Sequence, residues 1–341
     1  MKRLRIGTRG SSLALWQANH IASLLAQRHG VETEIVRIRT AGDRLQSASV
    51  AQVNAAIGSE SGAKGIFIKE LEEALLAGAI DLAVHSMKDV PTEIPAGLEF
   101  AAITRREDSR DCLISREGAT LENLAAGARM GTSSLRRQAQ LRHHRPDIDA
   151  IDLRGNVDTR LKKLDAGEFD AIILAVAGVN RLGLADRITQ VLEEDVMLPA
   201  VGQGALGIET RANDAEASPL AAALDDAETR ACITAERALL HELQGGCQVP
   251  LGAIARFTRD SLGGRSFSSD ITLQPSPGAL APEGEILIEA AVFSADGREF
   301  IRRDVRGASA DAAALGKSLG EILIGAGADK ILRLAGRSLQ S

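Results

Sequence analysis

The chain has 341 residues, 45% of them hydrophobic and 25% charged, which allows several buried cores. Its formal net charge of -6 excludes a global attraction to nucleic acid or an anionic membrane, and 2% aromatic residues leave few rings for stacking on bases. No run is apolar enough to read as a membrane span, and Gly7, Thr8 and Arg9 interrupt the basic start MKRLRIGTRG before an export signal develops. Three cysteines do not make a disulfide framework, so a reducing cytoplasm is the expected compartment.

Leu4 to Gly7 reads as a strand, followed by a helix capped by Ser11 or Ser12 with Leu13, Trp16, His20, Ile21 and Leu24 at helical spacing. Glu34 to Arg39 alternates like a strand, Ile66 to Leu76 reads as a helix, and Asp81 to Val84 is a buried strand ending at His85-Ser86-Met87-Lys88-Asp89. A second set starts near Arg105, with strands at Cys112 to Ser115, Ile148 to Leu153 and Ala171 to Val176, and helices at Ser134 to Arg145 and Val157 to Ala166. This alternation predicts an α/β fold with mostly parallel sheets. Leu198 to Thr210 looks like a segment returning to the first set. After about Glu228 the pattern changes to a helix up to Leu243, then strands near Ile254, Ile286 to Phe293 and Phe300 to Val305. Helical patterns from Ser309 to Ile324 and Asp329 to Ala335 follow, which suggests a small α+β unit. No internal repeat is evident.

Arg9, Arg136, Arg137, Arg154, Arg160 and Arg181 recur where strands or turns hand over to helices. Helix N-termini there add donors and partial positive charge, and arginine suits bidentate capture of carboxylates. Any one of them, read singly, is a solvated surface side chain; the set reads as a polyanion cleft. Arg136 and Arg137 are taken as surface-type residues whose loss would harm turnover more than folding. Asp89, after an apolar strand, is either a general acid/base or an ordinary turn former before Val-Pro. Cys247 sits in Gly245-Gly246-Cys247-Gln248, an accessible setting for a nucleophile or attachment point, although most single cysteines are inert. Cys112 and Cys232 look like buried hydrophobes. Gly202-Gln-Gly204-Ala-Leu-Gly207 matches a dinucleotide fingerprint formally but lacks the flanking strand and helix. Adjacent His143 and His144 do not share a helix face, so they are not a metal pair.

In order, the segments TRGSSLALWQ, AKGIFIKELE, AVHSMKDVP, EDSRDCLIS, GTSSLRRQAQL, LRGNVDTRL, AIILAVAG, LPAVGQGALGIE and GGCQVPLG resemble the porphobilinogen deaminase (hydroxymethylbilane synthase) family over residues 4 to 257. The resemblance implies two lobes like those of periplasmic binding proteins, here 1–104 with 205–224 and 105–204, and a C-terminal domain at 225–341. It implies a transferase that polymerises four porphobilinogen units, with release of ammonia, into hydroxymethylbilane for haem-type tetrapyrrole biosynthesis. The primer would be a dipyrromethane joined by a thioether to Cys247. Asp89 would be the acid/base, assisted by Lys88. Ser86, Lys88, Thr132, Ser133, Ser134, Arg136, Arg137, Arg154, Lys64 and Gln17 fall on cofactor-binding positions. Arg9, Ser11, Arg154, Arg160, Arg181 and Phe67 fall on substrate-binding ones. No metal, nucleic acid or membrane partner is implied, and a monomer is expected. Ala63 stands where the family usually has glycine, and the stretches 45–62 and 260–283 depart from its pattern. Two rival readings are an anionic-solute-binding protein with the same lobes but no chemistry, and a dinucleotide-dependent oxidoreductase.

Overall fold

A computed structural model describes residues 3–41, 68–243, 249–258 and 283–338. The first unit opens with β1 (Leu4–Thr8) and α1 (Ser12–His29), then β2 (Thr33–Arg37). Ser11 caps α1 by accepting a hydrogen bond from the Ala14 N–H, and the helix buries Gln17, Ala18, Ile21 and Leu25 on one face. Trp16 and His20, expected on the apolar stripe, lie off that face and stack on each other, with ring centroids 4.9 Å apart. α2 (Lys69–Leu76) starts later than expected, with Ile68 at φ -123° standing before the helix; residues 66 and 67 of the expected element lie outside the described residues. β3 (Leu82–Ser86) leads into a 3-10 turn, Met87–Asp89, and β4 (Leu98–Ile103) follows.

The second unit contains β5 (Asp111–Ser115), β6 (Arg129–Gly131), α3 (Leu135–His144), β7 (Asp149–Ile151), α4 (Val157–Asp165), β8 (Ala171–Ala175), α5 (Val176–Arg181) and β9 (Gln190–Leu192). The chain then re-enters the first sheet as β10 (Leu206–Arg211) and continues through α6 (Ala217–Ala222). The two sheets share one plan. The first has the order β2-β1-β3-β10-β4 and the second β7-β6-β8-β5-β9. In each, four of the five strands run the same way and one opposes them: β10 between β3 and β4, and β5 between β8 and β9. The repetition lies in topology, where no sequence repeat exists.

Last come α7 (Ala227–Glu242), the antiparallel strands β11 (Leu251–Thr258), β12 (Glu285–Phe293) and β13 (Phe300–Ala308), and helices α8 (Ala312–Gly325) and α9 (Ala328–Ser338). Alternate residues of β12, namely Ile286, Ile288, Ala290 and Val292, enter one core with Leu239 of α7 and Leu319 and Leu323 of α8. The side-chain period of two thereby turns a single face of the strand onto the helices.

Two crossovers join the α/β units, and this third unit grips both. Glu236 of α7 is fully buried and takes the Arg106 guanidinium of the first crossover. It also accepts the Gly202 N–H of the second crossover and the Ala255 N–H of β11, each at 2.8 Å. Gly204, at φ +92°, passes so close to the Glu107 carbonyl that a Cβ would lie 2.4 Å from its oxygen. The Gly202–Gly207 motif therefore serves tight backbone crossing, and its glycines are explained without a dinucleotide. On the other side, the turn between β12 and β13 docks on the end of α3. His143 Nδ1 lies 3.0 Å from the Gly297 carbonyl, and its ring packs 4.5 Å from that of Phe300.

Removing one partner of a buried ion pair strands the other in a dry site. Glu236→Ala should therefore lower stability by about 3–5 kcal/mol. The check is the midpoint of chemical denaturation.

Candidate active site

Asp89 ends the 3-10 turn that follows β3, and its side chain is exposed at the rim of a cleft. The wall of that cleft comes from both α/β units. Arg9, Ser11, Gln17, Ser86 and Lys88 belong to the first, Ala177, Gly178 and Arg181 to the second, and Gln203 and Gly204 to the crossover. Among the described lining residues Asp89 is the only acid. The side chains are placed there by short local devices. The chain leaves β1 at Thr8, so Arg9 and the Ser11 cap fall directly at the carboxyl end of a parallel strand, where open α/β sheets leave a crevice.

Arg181 differs from its expected position. It is the last residue of α5 instead of a strand-to-helix junction, because α5 begins immediately after β8. From there its Nη2 donates to the Gly204 carbonyl at 2.6 Å, and its guanidinium lies 5.9 Å from the centre of the Trp16 ring. The single tryptophan of the chain thus helps to orient a cleft arginine across the lobes.

Arg136 and Arg137 are not surface side chains. They stand in the first turn of α3, capped by Ser134, and are 5% and 6% exposed. Both pair with the fully buried Asp111 at 2.7 Å. Burial alone would raise the Asp111 carboxyl, but the two guanidinium groups hold it well below the usual carboxylate range. Asp111 also accepts from Gln203 Nε2 at 2.9 Å, and Gln203 Oε1 accepts from Lys88 Nζ at 3.5 Å. The expectation that changing these arginines would spare folding is therefore corrected. A buried charge of this kind is tied to a partner that would be left unpaired.

Several donors here have no acceptor among the described residues. The Nε groups of Arg136 and Arg137, the Ser133 hydroxyl and Gln17 Nε2 are buried without a hydrogen-bond partner. Loss of hydration, aided by Arg137 and Arg136, pushes the Lys88 ammonium down to about 8, against the opposing pull of Asp89. Burial, with Arg137, pushes Arg160 down to about 10. Arg160 donates from Nε to the Gly155 carbonyl at 2.7 Å, Arg154 is exposed, and Thr132 is buried with its hydroxyl accepting from the Ser134 N–H. A surplus of poorly hydrated cations beside unfilled donors is the environment that a ligand with several carboxylates would complete. Cys247, Lys64 and Phe67 lie outside the described residues. Cys112 and Cys232 are buried as expected, with thiols pushed up to about 12 by burial, and so are unreactive. Residues that sequence reasoning passed over are Asp111 and Gln203. Asp111 lies within the EDSRDCLIS motif, but its partners are 25 and 26 residues away.

Fold and cleft together define a two-lobed α/β protein whose described cleft sets cations around one carboxylate. Residues 4–219 match the family described as porphobilinogen deaminase, dipyromethane cofactor binding domain, and residues 230–325 match the porphobilinogen deaminase C-terminal domain. The porphobilinogen deaminase of Trichlorobacter lovleyi is 46% identical over 332 residues, covering 97% of this chain and 96% of that protein. That of Geobacter sulfurreducens is 45% identical over 333 residues, covering 97% and 94%. The chain belongs to the porphobilinogen deaminase family. Among solved structures the methionine-binding protein MetQ aligns with 64% of this chain and 88% of its own at 13% identity and a TM-score of 0.40, and the assignment rests on the sequence relatives.

Lys88 provides a test of the cleft's charge. Below pH 8 it is mostly protonated and attracts carboxylates; above that it is mostly neutral. Affinity for a small dicarboxylate, measured by calorimetry, should fall as pH rises through about 8. Lys88→Arg should remove that step, because a guanidinium stays charged there.

Proposed function

We propose that this protein is a deaminating transferase that joins four porphobilinogen units head to tail into hydroxymethylbilane, on a dipyrromethane primer bound through a thioether to Cys247. The observation that supports the site assignment is that Asp89 is the single acid among the described residues lining the cleft, whose other charged described groups are cations.

Each pyrrole unit carries two carboxylates, so the growing chain gains negative charge at every addition. The unfilled Nε donors of Arg136 and Arg137, the Ser133 hydroxyl and Lys88 would hold the primer's carboxylates, with Ser86, Thr132, Ser134, Arg154, Lys64 and Gln17 assigned beside them. Arg9, Ser11, Arg160, Arg181 and Phe67 would receive the incoming unit. When bound, the primer supplies the nucleophilic ring carbon to which that unit is joined. Asp89, as the acid, gives a proton to the amino group that leaves as ammonia. As the carboxylate, it then stabilises the positive charge left on the pyrrole, and it takes up the proton released as the new carbon–carbon bond restores the ring. Lys88, next to it, keeps the carboxyl in an electropositive setting.

The same reading makes porphobilinogen the substrate and the working form a cytoplasmic monomer without nucleic acid or membrane. In support of the absence of nucleic acid and membrane, the net charge is negative, and no helix among the described residues is long and apolar enough to cross a membrane. A solute-binding role without chemistry is not favoured, since relatives named as deaminases match along nearly the whole chain, C-terminal unit included.

Peptide mapping by mass spectrometry should find a dipyrromethane-sized adduct on the Cys247 peptide, and none on Cys112 or Cys232. An active enzyme without that adduct would overturn the assignment. Asp89→Asn keeps the size of the side chain but removes its charge and its proton. Primer-loaded Asp89→Asn should release ammonia about 10²–10⁴-fold more slowly in a single turnover. Near-normal release would show that another group does the chemistry.

A further inference from the structure

The segment that follows Asp89 has an unusual anchor. Arg237, half-buried on α7, donates from Nη1 to the Val90 carbonyl at 3.2 Å, and from Nη2 to the Pro91 and Thr92 carbonyls at 2.6 and 3.0 Å. Three successive carbonyls therefore converge on one guanidinium from another unit of the fold. Carbonyl dipoles so arranged repel one another unless a cation sits between them, and the planar fork of arginine, with its five donors in fixed geometry, spans three carbonyls spread along a chain better than the compact ammonium of lysine.

The other side of the same turn is equally fixed. The Met87 N–H donates to the Ala205 carbonyl at 3.0 Å, and Met87 is 1% exposed. Gly202 packs so tightly here that a Cβ would lie 2.8 Å from the Met87 carbonyl carbon and 3.0 Å from the Lys88 nitrogen. Asp89 itself is exposed. Its location is therefore set by its neighbours in the chain, held by the crossover before it and by Arg237 after it.

We infer that Arg237 is a positioning residue for Asp89, acting through the Val90–Thr92 carbonyls. The inference rests on Asp89 being the catalytic carboxylate. Arg237 also lies on the helix whose last residue, Glu242, stands five positions before Cys247 in the sequence. The side chain immediately before it, Glu236, locks that helix to both crossovers. With the guanidinium gone, the Val90–Thr92 strip loses its outer support and Asp89 drifts from its reacting position, while the cations that bind carboxylates stay in place.

The experiment uses primer-loaded enzyme, its loading equalised by intact mass, with Arg237→Gln, Arg237→Lys and Asp89→Asn compared with the parent. A displacement near 1 Å at a catalytic group can cost about 100-fold, so kcat of Arg237→Gln should fall by about 10- to 100-fold, with KM for porphobilinogen unchanged. Arg237→Lys should recover part of the loss. Amide hydrogen exchange in the peptide spanning Met87 to Glu93 should speed up in Arg237→Gln, with that of β5 and β8 unaltered. Parental kcat and exchange in Arg237→Gln, or a loss of kcat that only follows a lowered Tm and rises equally in KM, would overturn the inference. Retained turnover in Asp89→Asn would instead remove Asp89 from the chemistry, so the two failures are separable.

Discussion

The Asp111 carboxylate makes the buried arginine pair Arg136 and Arg137 physically possible. Two guanidinium groups side by side in a buried site repel each other and lose their hydration, which is affordable only with a compensating charge in direct contact. Asp111 pairs with Arg136 and Arg137 and also accepts from Gln203. One negative charge for two positive ones leaves the cluster electropositive, and the geometry uses terminal nitrogens of each arginine while leaving each Nε without a partner among the described residues. The surplus charge is thus immobilised. Gln203 extends the network to Lys88 beside Asp89, so a single side chain of the crossover links the buried cluster of one unit to the turn that ends at Asp89 in the other.

A second buried carboxylate, Glu236, plays the corresponding role for the architecture. It gathers Arg106, Gly202 and Ala255, which belong to the first crossover, the second crossover and the third sheet. Backbone N–H groups and a guanidinium satisfy it completely enough for it to sit at zero exposure in a core built of alanine and aliphatic residues. The third unit is therefore a brace across the two crossovers, and it also holds the second unit through the docking of the Gly297 turn on α3. A polymerising cleft has to keep one reacting position while its bound chain lengthens, and a brace of this kind supplies a fixed reference.

Much of this was legible in the linear sequence. The alternation of apolar runs with helical periods marked β1, α1, β3, β8 and α7, because each is long enough, or bounded clearly enough, to show its period. The three-residue strands β6 and β9 were not seen, since three residues carry no period, and β4 was missed because its residues Phe100 to Ile103 are all apolar and show no alternation. Asp89 and the set of arginines were named from their places after strands, a local signal. That Arg136 and Arg137 are buried could not be read, because what decides it is Asp111, 25 and 26 residues away. The Arg237 contact spans 145 to 147 residues, and the Arg106–Glu236 pair spans 130.

By itself, then, the sequence determined the α/β class, the change to an α+β tail, the family, and the residue types that a polyanionic ligand would need. Those follow from periodicity, composition and motif order, all of which are local or additive along the chain. Only the tertiary structure decided which cations are buried, which carboxylate neutralises them, and which helix supports the turn after Asp89. These depend on pairings that the folded chain makes across 25 and 26 residues at Asp111 and across more than a hundred at Glu236 and Arg237, and removing one partner of a buried pair leaves the other charge uncompensated.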